Sequence, residues 1–287
     1  MWWTALTGKL ERAKALDPAT ASATRVVKAV LPGGPVKDVL HGRWLGHPVH
    51  PLLVTLPIGL WSGASLLDLT TRDDGGRRAA RRLVGAGLLS VLPTAATGLA
   101  DWSELGAFER PKRVGLVHAN ANTLTALVYL ASWRARRAGD DARGRRLALA
   151  GLVGLAVGGY LGGHLSYSEG VGVNRNADEA PEPEDWTDVA AESDVAEGGL
   201  VRVDADGSQI VLSRRDGRLQ AIGAVCSHYG APLEQGEVDA DDCLVCPWHG
   251  SRFRLADGSV ARGPATSPQR SYDVRTTAGR IELRARL

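Results

Sequence analysis

Hydrophobic and polar positions along the 287-residue chain follow two different rhythms. Four stretches contain no Lys, Arg, Asp or Glu: residues 48–67, 83–100, 114–133 and 147–168. Each is about as long as a helix needs to cross a bilayer core. A helix of a water-exposed bundle keeps a charged face, and these stretches have none. Asp68, Arg82, Asp101, Arg113, Arg134, Arg146 and Glu169 close most of their ends, and Trp61, Trp102, Trp133 and Tyr167 lie near ends as interfacial aromatics do. Pro57, Pro93, Gly154, Gly158 and Gly159 are tolerated inside membrane helices, which pack through small residues. The pattern therefore predicts four transmembrane helices.

Beyond the acidic, proline-containing "NRNADEAPEPEDW" the period shortens. "GLVRVDA", "QIVLSRR", "RLQAIGAV", "SYDVRTT" and "RIELRA" read as short strands. Turn signals at Asp206-Gly207, Asp216-Gly217, Asp257-Gly258 and Ala278-Gly279 punctuate them. The predicted fold class is multidomain: an all-α four-helix transmembrane bundle followed by a small all-β domain. The expected divisions are a tail over 1–46, the bundle over 47–173, a linker over 174–185 and the β domain over 186–287. The tail opens "MWWTALTGKLERAK", which lacks the plan of a cleavable signal peptide and suits either an amphipathic interfacial helix or a solvated segment. No repeat of solenoid length is visible.

Charge sharpens this division. The net charge is only +2, yet Lys+Arg exceed Asp+Glu by 22 to 12 through Asn176 and fall short by 12 to 20 beyond it. The basic residues sit in short clusters between apolar runs, which is not the layout of a nucleic-acid face. "TRDDGGRRAARR" joins the first two spans and "RARRAGDDARGRR" the last two, with five and six arginines. The positive-inside rule places both loops in the cytoplasm and both termini outside. Arg145-Arg146 before the fourth span add a weak hint of an internal twin-arginine export signal.

All three cysteines fall in "CSHYGAPLEQGEVDADDCLVCPWHGS". An odd number in a chain of this size argues against a disulfide scaffold. The pattern is Cys226-x-His228, seventeen residues, then Cys246-x-x-His249. Zinc could use these four residues or recruit Cys243 through "CLVC". An iron–sulfur centre with mixed sulfur and nitrogen ligands uses the four alone, leaving Cys243 as a small buried strand residue.

"CSHYGAPL", "CPWHGSRF" and the following "GPATSP" together resemble the Rieske [2Fe–2S] family over about the last hundred residues. The resemblance implies that Cys226 and Cys246 hold one iron while His228 and His249 hold the other. It also implies that Pro264 lies in a loop covering the cluster. Gly230 lets the first loop turn tightly, and Ser251 is expected to tune the potential. Quinol-oxidising members pair an extra cysteine in each loop, but Ala231 and Trp248 stand there. Phe253 stands where their tyrosine donates to sulfur, so one donor is missing and the potential is expected to be lower. The domain therefore resembles the ferredoxin type. No catalytic residue is visible, and no further domain supplies the mononuclear iron of a ring oxygenase.

"HPVHPLLVTLPIGL", "GLADW", "HANAN" and "GGHLSYSEGVGV" resemble an uncharacterised bacterial four-helix membrane family, which implies architecture but no activity. His47, His50, Asp101, His118, Asn122, His164 and Tyr167 gather toward one end of the expected bundle. Intramembrane polar groups suggest function by default. They could ligate haem b, with His118 or His50 paired to His164, bind a quinone or a metal ion, or simply cap helix ends. The expected function is a multi-pass Rieske protein of a bacterial cell membrane. It would pass single electrons between a membrane donor and a redox partner, protein or quinone, with its β domain extracytoplasmic. The alternatives are a membrane oxidoreductase with haem or quinone in the bundle and a redox sensor or assembly factor.

Overall fold

The computed structural model describes residues 2–71 and 73–286. Among the described residues, seven α-helices precede ten strands: α1 Trp2–Glu11, α2 Asp17–Val30, α3 Pro35–His41, α4 His50–Thr70, α5 Asp74–Ser103, α6 Glu109–Arg137 and α7 Asp141–Tyr167. The chain divides into two compact units, and the division does not follow chain order. Residues Val49–Val171 and the chain before Gly33 form one unit, while Gly33–Pro48 joins the chain after Val171 in the other.

In the first unit, α4 to α7 are 21, 30, 29 and 27 residues long and apolar enough to cross a membrane. At about 1.5 Å per residue, even α4 spans roughly 30 Å. Asp73 and Asp140 start α5 and α7 as N-caps, accepting from Gly76 N at 2.7 Å and Arg143 N at 2.9 Å. Few residues in these helices carry bulk into the core. Trp61 stacks on Tyr129 with ring centroids 4.0 Å apart, and its Nε1 donates to the Val84 carbonyl at 3.2 Å. Ala64, Ala80, Val84 and Ala148 fill the space around them, all fully buried. A Cβ on Gly87 would stand 2.2 Å from the Trp61 indole, so this close approach requires glycine.

The segment read as a tail is tied to the bundle. Arg113 on α6 donates to both carboxylate oxygens of Asp17 and, at 2.7 Å, to the Glu11 carbonyl. Residues 33–48 go elsewhere: Asp38 on α3 accepts from Gly263 N at 2.9 Å, within the second unit.

The strands of the second unit are β1 Thr187–Ala191, β2 Leu200–Ala205, β3 Ser208–Arg215, β4 Arg218–Gly223, β5 Glu237–Val238, β6 Cys243–Val245, β7 Arg252–Arg254, β8 Val260–Arg262, β9 Ser271–Thr277 and β10 Arg280–Ala285. An antiparallel six-stranded sheet has the order β1-β10-β9-β4-β3-β2, and a four-stranded sheet the order β5-β6-β7-β8. The five runs expected as strands are β2, β3, β4, β9 and β10. Asp206-Gly207 and Asp216-Gly217 take positive φ at both residues, as two-residue hairpins demand. Asp257-Gly258 instead lies in the longer loop between β7 and β8, with only Gly258 at positive φ. The second sheet escapes an alternation reading because its strands are two or three residues long. It matters most for the site, because the β4–β5 and β6–β7 connections carry the cysteines and histidines.

Candidate metal centre

Both loops close by the same backbone device. In the first, Cys226 N donates to Ala231 O at 2.9 Å and Gly230 N returns to Cys226 O at 2.8 Å. In the second, Cys246 N donates to Ser251 O at 2.8 Å and Gly250 N returns to Cys246 O at 3.0 Å. Gly230 and Gly250 take φ of 75° and 71°, a region open to glycine without strain. The turn leaves the N–H groups of His228 and Tyr229 aimed at the Cys226 sulfur, and those of Trp248 and His249 at the Cys246 sulfur. Such donors stabilise thiolate.

The loops bring the four expected ligands together. Cys226 and Cys246 are buried, within hydrogen-bond reach of each other, and carry free thiols. The thiol–thiol hydrogen bond and burial raise Cys226 well above its ordinary pKa, while the bond from Cys226 lowers Cys246 to about 6. The His228 and His249 rings meet edge to face at 5.0 Å. Burial, followed by the field of His249, lowers His228 to about 3, so its imidazole is neutral, the form that binds metal. Its Nδ1 is buried and has no hydrogen-bond partner among the described residues. An orphaned ring nitrogen is costly unless something else takes its lone pair. Two adjacent thiols, two adjacent imidazoles and that orphaned nitrogen fit a [2Fe–2S] centre with two sulfur and two nitrogen ligands.

A third loop closes the site. Ala265 N donates to Ser251 Oγ at 3.0 Å, and Ser227 Oγ donates to Ser267 O at 2.7 Å. Pro264, in this loop, follows a cis peptide bond. Since Ser251 accepts from Ala265, its hydroxyl proton stays available to a sulfur. Phe253 on β7 is fully buried in the core that holds both cysteines, Ala231 and Leu233. Trp248 is 47% exposed, its ring 6.4 Å from that of His249. Cys243 is buried on β6 with its sulfur against the Asp241 carbonyl.

Residues 185–273 match the Rieske [2Fe–2S] domain family. The 3-phenylpropionate/cinnamic acid dioxygenase ferredoxin subunit of Escherichia coli O139:H28 is 35% identical over 89 residues, which cover 31% of this chain and 83% of that protein. The chain belongs to the Rieske [2Fe–2S] family. Its Rieske domain is fused to a second matched region, residues 46–175, described as a predicted membrane protein (DUF2231). Apoptosis-inducing factor 3 of Mus musculus is 28% identical over 107 residues, and the chain spans only 18% of that longer protein. Among solved structures, the ferredoxin of carbazole 1,9a-dioxygenase from Nocardioides aromaticivorans IC177 is 28% identical, with 35% of this chain and 98% of that one covered at a TM-score of 0.34.

The Rieske site contains one histidine that the motif does not reveal. His41, at the end of α3, is 3% exposed, packs near Gly263 and contributes to the field at His228. It lies 185 residues before Cys226, so spacing offers no signal for it.

The polar residues of the bundle are sorted into groups rather than gathered in one. His50 Nδ1 lies 3.0 Å from Thr94 O, and His118 Nδ1 lies 3.0 Å from Gly158 O. Asn122 stands beside the His118 ring. His164 is not paired with either histidine: its Nε2 meets Glu11 at 2.9 Å, and Arg110 bridges Glu11 and Glu169 at 2.7 and 3.2 Å. Glu11, His164 and Glu169 lie close enough to hold a cation, but Arg110 already supplies the positive charge. Asp101 is half-buried on α5, and Tyr167 is 92% exposed. His47 is exposed within the 33–48 segment of the other unit.

Proposed function

We propose that this chain is a membrane-held Rieske electron carrier of a bacterial cell membrane. The observation that carries the reading is the meeting of Cys226, Cys246, His228 and His249, with His228 Nδ1 buried and orphaned. Cys226 and Cys246 would hold one iron and His228 and His249 the other. The bound [2Fe–2S] group supplies reversible one-electron chemistry, at a higher potential than an all-cysteine cluster. The chain's own residues set the conditions for it. Backbone N–H groups neutralise thiolate charge, Ser251 offers a hydroxyl, and buried Phe253 keeps water out without donating. The half-exposed Trp248 beside His249 marks the side from which a partner would take or deliver an electron.

Four apolar helices support a lipid bilayer as the surrounding of the first unit. The arginine-rich loops at α4–α5 and α6–α7 favour the cytoplasmic side for those connections and the extracytoplasmic side for the Rieske domain. Similarity to a dioxygenase ferredoxin subunit supports single-electron exchange with a redox protein. A quinone as membrane donor and a bundle with its own haem, which would make the chain a membrane oxidoreductase, rest on the bundle histidines alone.

The test is cluster content in full-length protein purified anaerobically from iron-replete cells. About two irons and two acid-labile sulfides per chain are expected, with a rhombic electron paramagnetic resonance signal on dithionite reduction. Cys246→Ser and His249→Ala should each abolish that signal. A colourless protein carrying stoichiometric zinc would sink the reading.

A further inference from the structure

The bundle contains an internal symmetry that points to a second metal centre. Three pairs of residues, each 68 positions apart, occupy corresponding places on α4 and α6: His50 with His118, Trp61 with Tyr129, and Asp68 with Arg136. Trp61 and Tyr129 stack at 4.0 Å, and Asp68 and Arg136 form a buried ion pair with one contact of 2.9 Å. The second helices repeat too, with a shift of 64. "RRLVGAGL" from Arg81 corresponds to "RRLALAGL" from Arg145, and Gly87 and Gly98 correspond to Gly151 and Gly162. Gly87 receives the Trp61 ring and Gly151 the Tyr129 ring, each too close for a Cβ. The α4–α5 hairpin is thus repeated as α6–α7 about an approximate twofold axis through the core.

On a helix, positions i, i+11 and i+18 lie within about 20° of one another. The three pairs therefore form three rungs along one seam, about 17 and 27 Å from the first. The second and third rungs are in direct contact across the axis. The first consists of His50 and His118, which fall on the same seam by the same spacing. Their surroundings repeat as well. Each Nδ1 faces a backbone carbonyl, Thr94 O on α5 or its counterpart Gly158 O on α7, and each ring rests on the glycine one turn further along, Gly98 or Gly162. Thr97 Oγ1 adds a weaker 3.3 Å contact to His50 Nδ1.

A carbonyl only accepts, so each Nδ1 carries the proton and each lone pair is on Nε2. Asn122 Nδ2 lies 3.3 and 3.1 Å from the two ring nitrogens of His118. A group on the Nε2 lone-pair axis would be much farther from Nδ1 than from Nε2, so Asn122 does not occupy that axis. Backbone carbonyls that orient the far nitrogen are the usual support of metal-bound histidine. We infer that His50 and His118 together bind one transition-metal centre on the bundle axis through their Nε2 atoms, either the iron of a haem or a bare divalent ion. The inference goes beyond the Rieske reading and stands on different residues.

The experiment uses full-length protein in detergent, with metals by mass spectrometry, haem by pyridine haemochrome, and acid-labile sulfide measured on the same sample. The expected result is about one metal equivalent above the cluster irons. His50→Ala and His118→Ala should each lose it, His164→Ala should retain it, and sulfide should be unchanged in all three. A positive haemochrome identifies haem, and a negative one with a stoichiometric ion identifies the bare ion. His118→Met guards against a folding defect, because it keeps a donor atom and should weaken or spectrally shift the centre. Wild-type protein with full sulfide and no metal beyond the cluster overturns the inference, as does full metal retention in both alanine variants. Loss of sulfide with the bundle metal intact would count against the Rieske reading alone.

Discussion

Ser251 accepts a hydrogen bond from Ala265 N through its hydroxyl oxygen, and in the proposed electron carrier its proton goes to a sulfur of the cluster. Ser251→Ala would leave a buried N–H unsatisfied, at a cost of about 1–3 kcal/mol, and remove a donor to the cluster. The expected outcome is a melting temperature lower by several degrees together with a lower reduction potential, read by calorimetry and redox titration. A second residue carries the pH dependence. Burial is the main cause raising the Glu179 pKa, with Arg270 opposing it. A raised folded pKa means that the folded state holds the proton more tightly than the unfolded chain. The stability from this group is complete below the unfolded value of 4.5 and is lost as pH rises through the folded value. Glu179→Gln should flatten the melting-temperature profile just above pH 4.5 and leave it unchanged at lower pH. The Cys-x-His and Cys-x-x-His spacings were legible at this scale, because each lies within one loop. The position of His41 was not, because only folding brings α3 to Gly263.

Among the elements, α4 and α6 decide the core of the first unit. Asp68 and Arg136 are 6% and 1% exposed, so neither charge can turn to water. Removing one partner leaves the other buried and uncompensated, at about 3–5 kcal/mol. Asp68→Ala should therefore destabilise the protein severely in detergent melts, and the exchanged pair Asp68→Arg with Arg136→Asp should recover much of the loss. Failure of the exchange to recover more than the single change would remove the evidence that this rung is a matched pair. The four apolar helices were readable because uninterrupted apolar length is a property of the chain. Their pairing was not: Trp61 finds Tyr129 through glycines on α5 and α7 that, in the sequence, are only small residues. The short strands β5 to β8 were missed for the opposite reason, since two or three residues carry too little alternation to stand out.

For the whole molecule, loop charge makes the testable statement. Single cysteines introduced at Arg78 and Arg143, in a background where Cys243 is alanine, should be reached by a membrane-impermeant maleimide only after cells are opened. A cysteine at Asp206 in the Rieske domain should be labelled in intact cells whose outer barrier is permeabilised. The reverse pattern would place the Rieske domain in the cytoplasm and leave the cluster reading untouched. The chain order suggested a tail, a bundle and a domain in succession. The structure instead divides the first 48 residues, giving α1 and α2 to the bundle unit and α3 to the Rieske unit. The ion pair between Arg113 and Asp17 and the bond from Gly263 to Asp38 account for that division.

By itself the sequence determined much of what short-range chemistry controls: the two loops that carry the cysteines and histidines, their turn glycines, the apolar lengths and the hairpin turns at Asp206-Gly207 and Asp216-Gly217. Each follows from neighbours within a few residues, or from one composition sustained along a helix. Tertiary structure alone decided which distant groups share an environment. It separated His164 from the other bundle histidines by giving it Glu11, seated the His50 and His118 rings on Gly98 and Gly162, and brought His41 to Gly263. Those outcomes depend on packing between segments dozens to hundreds of residues apart, where shape and hydrogen-bond satisfaction select partners that no local pattern records.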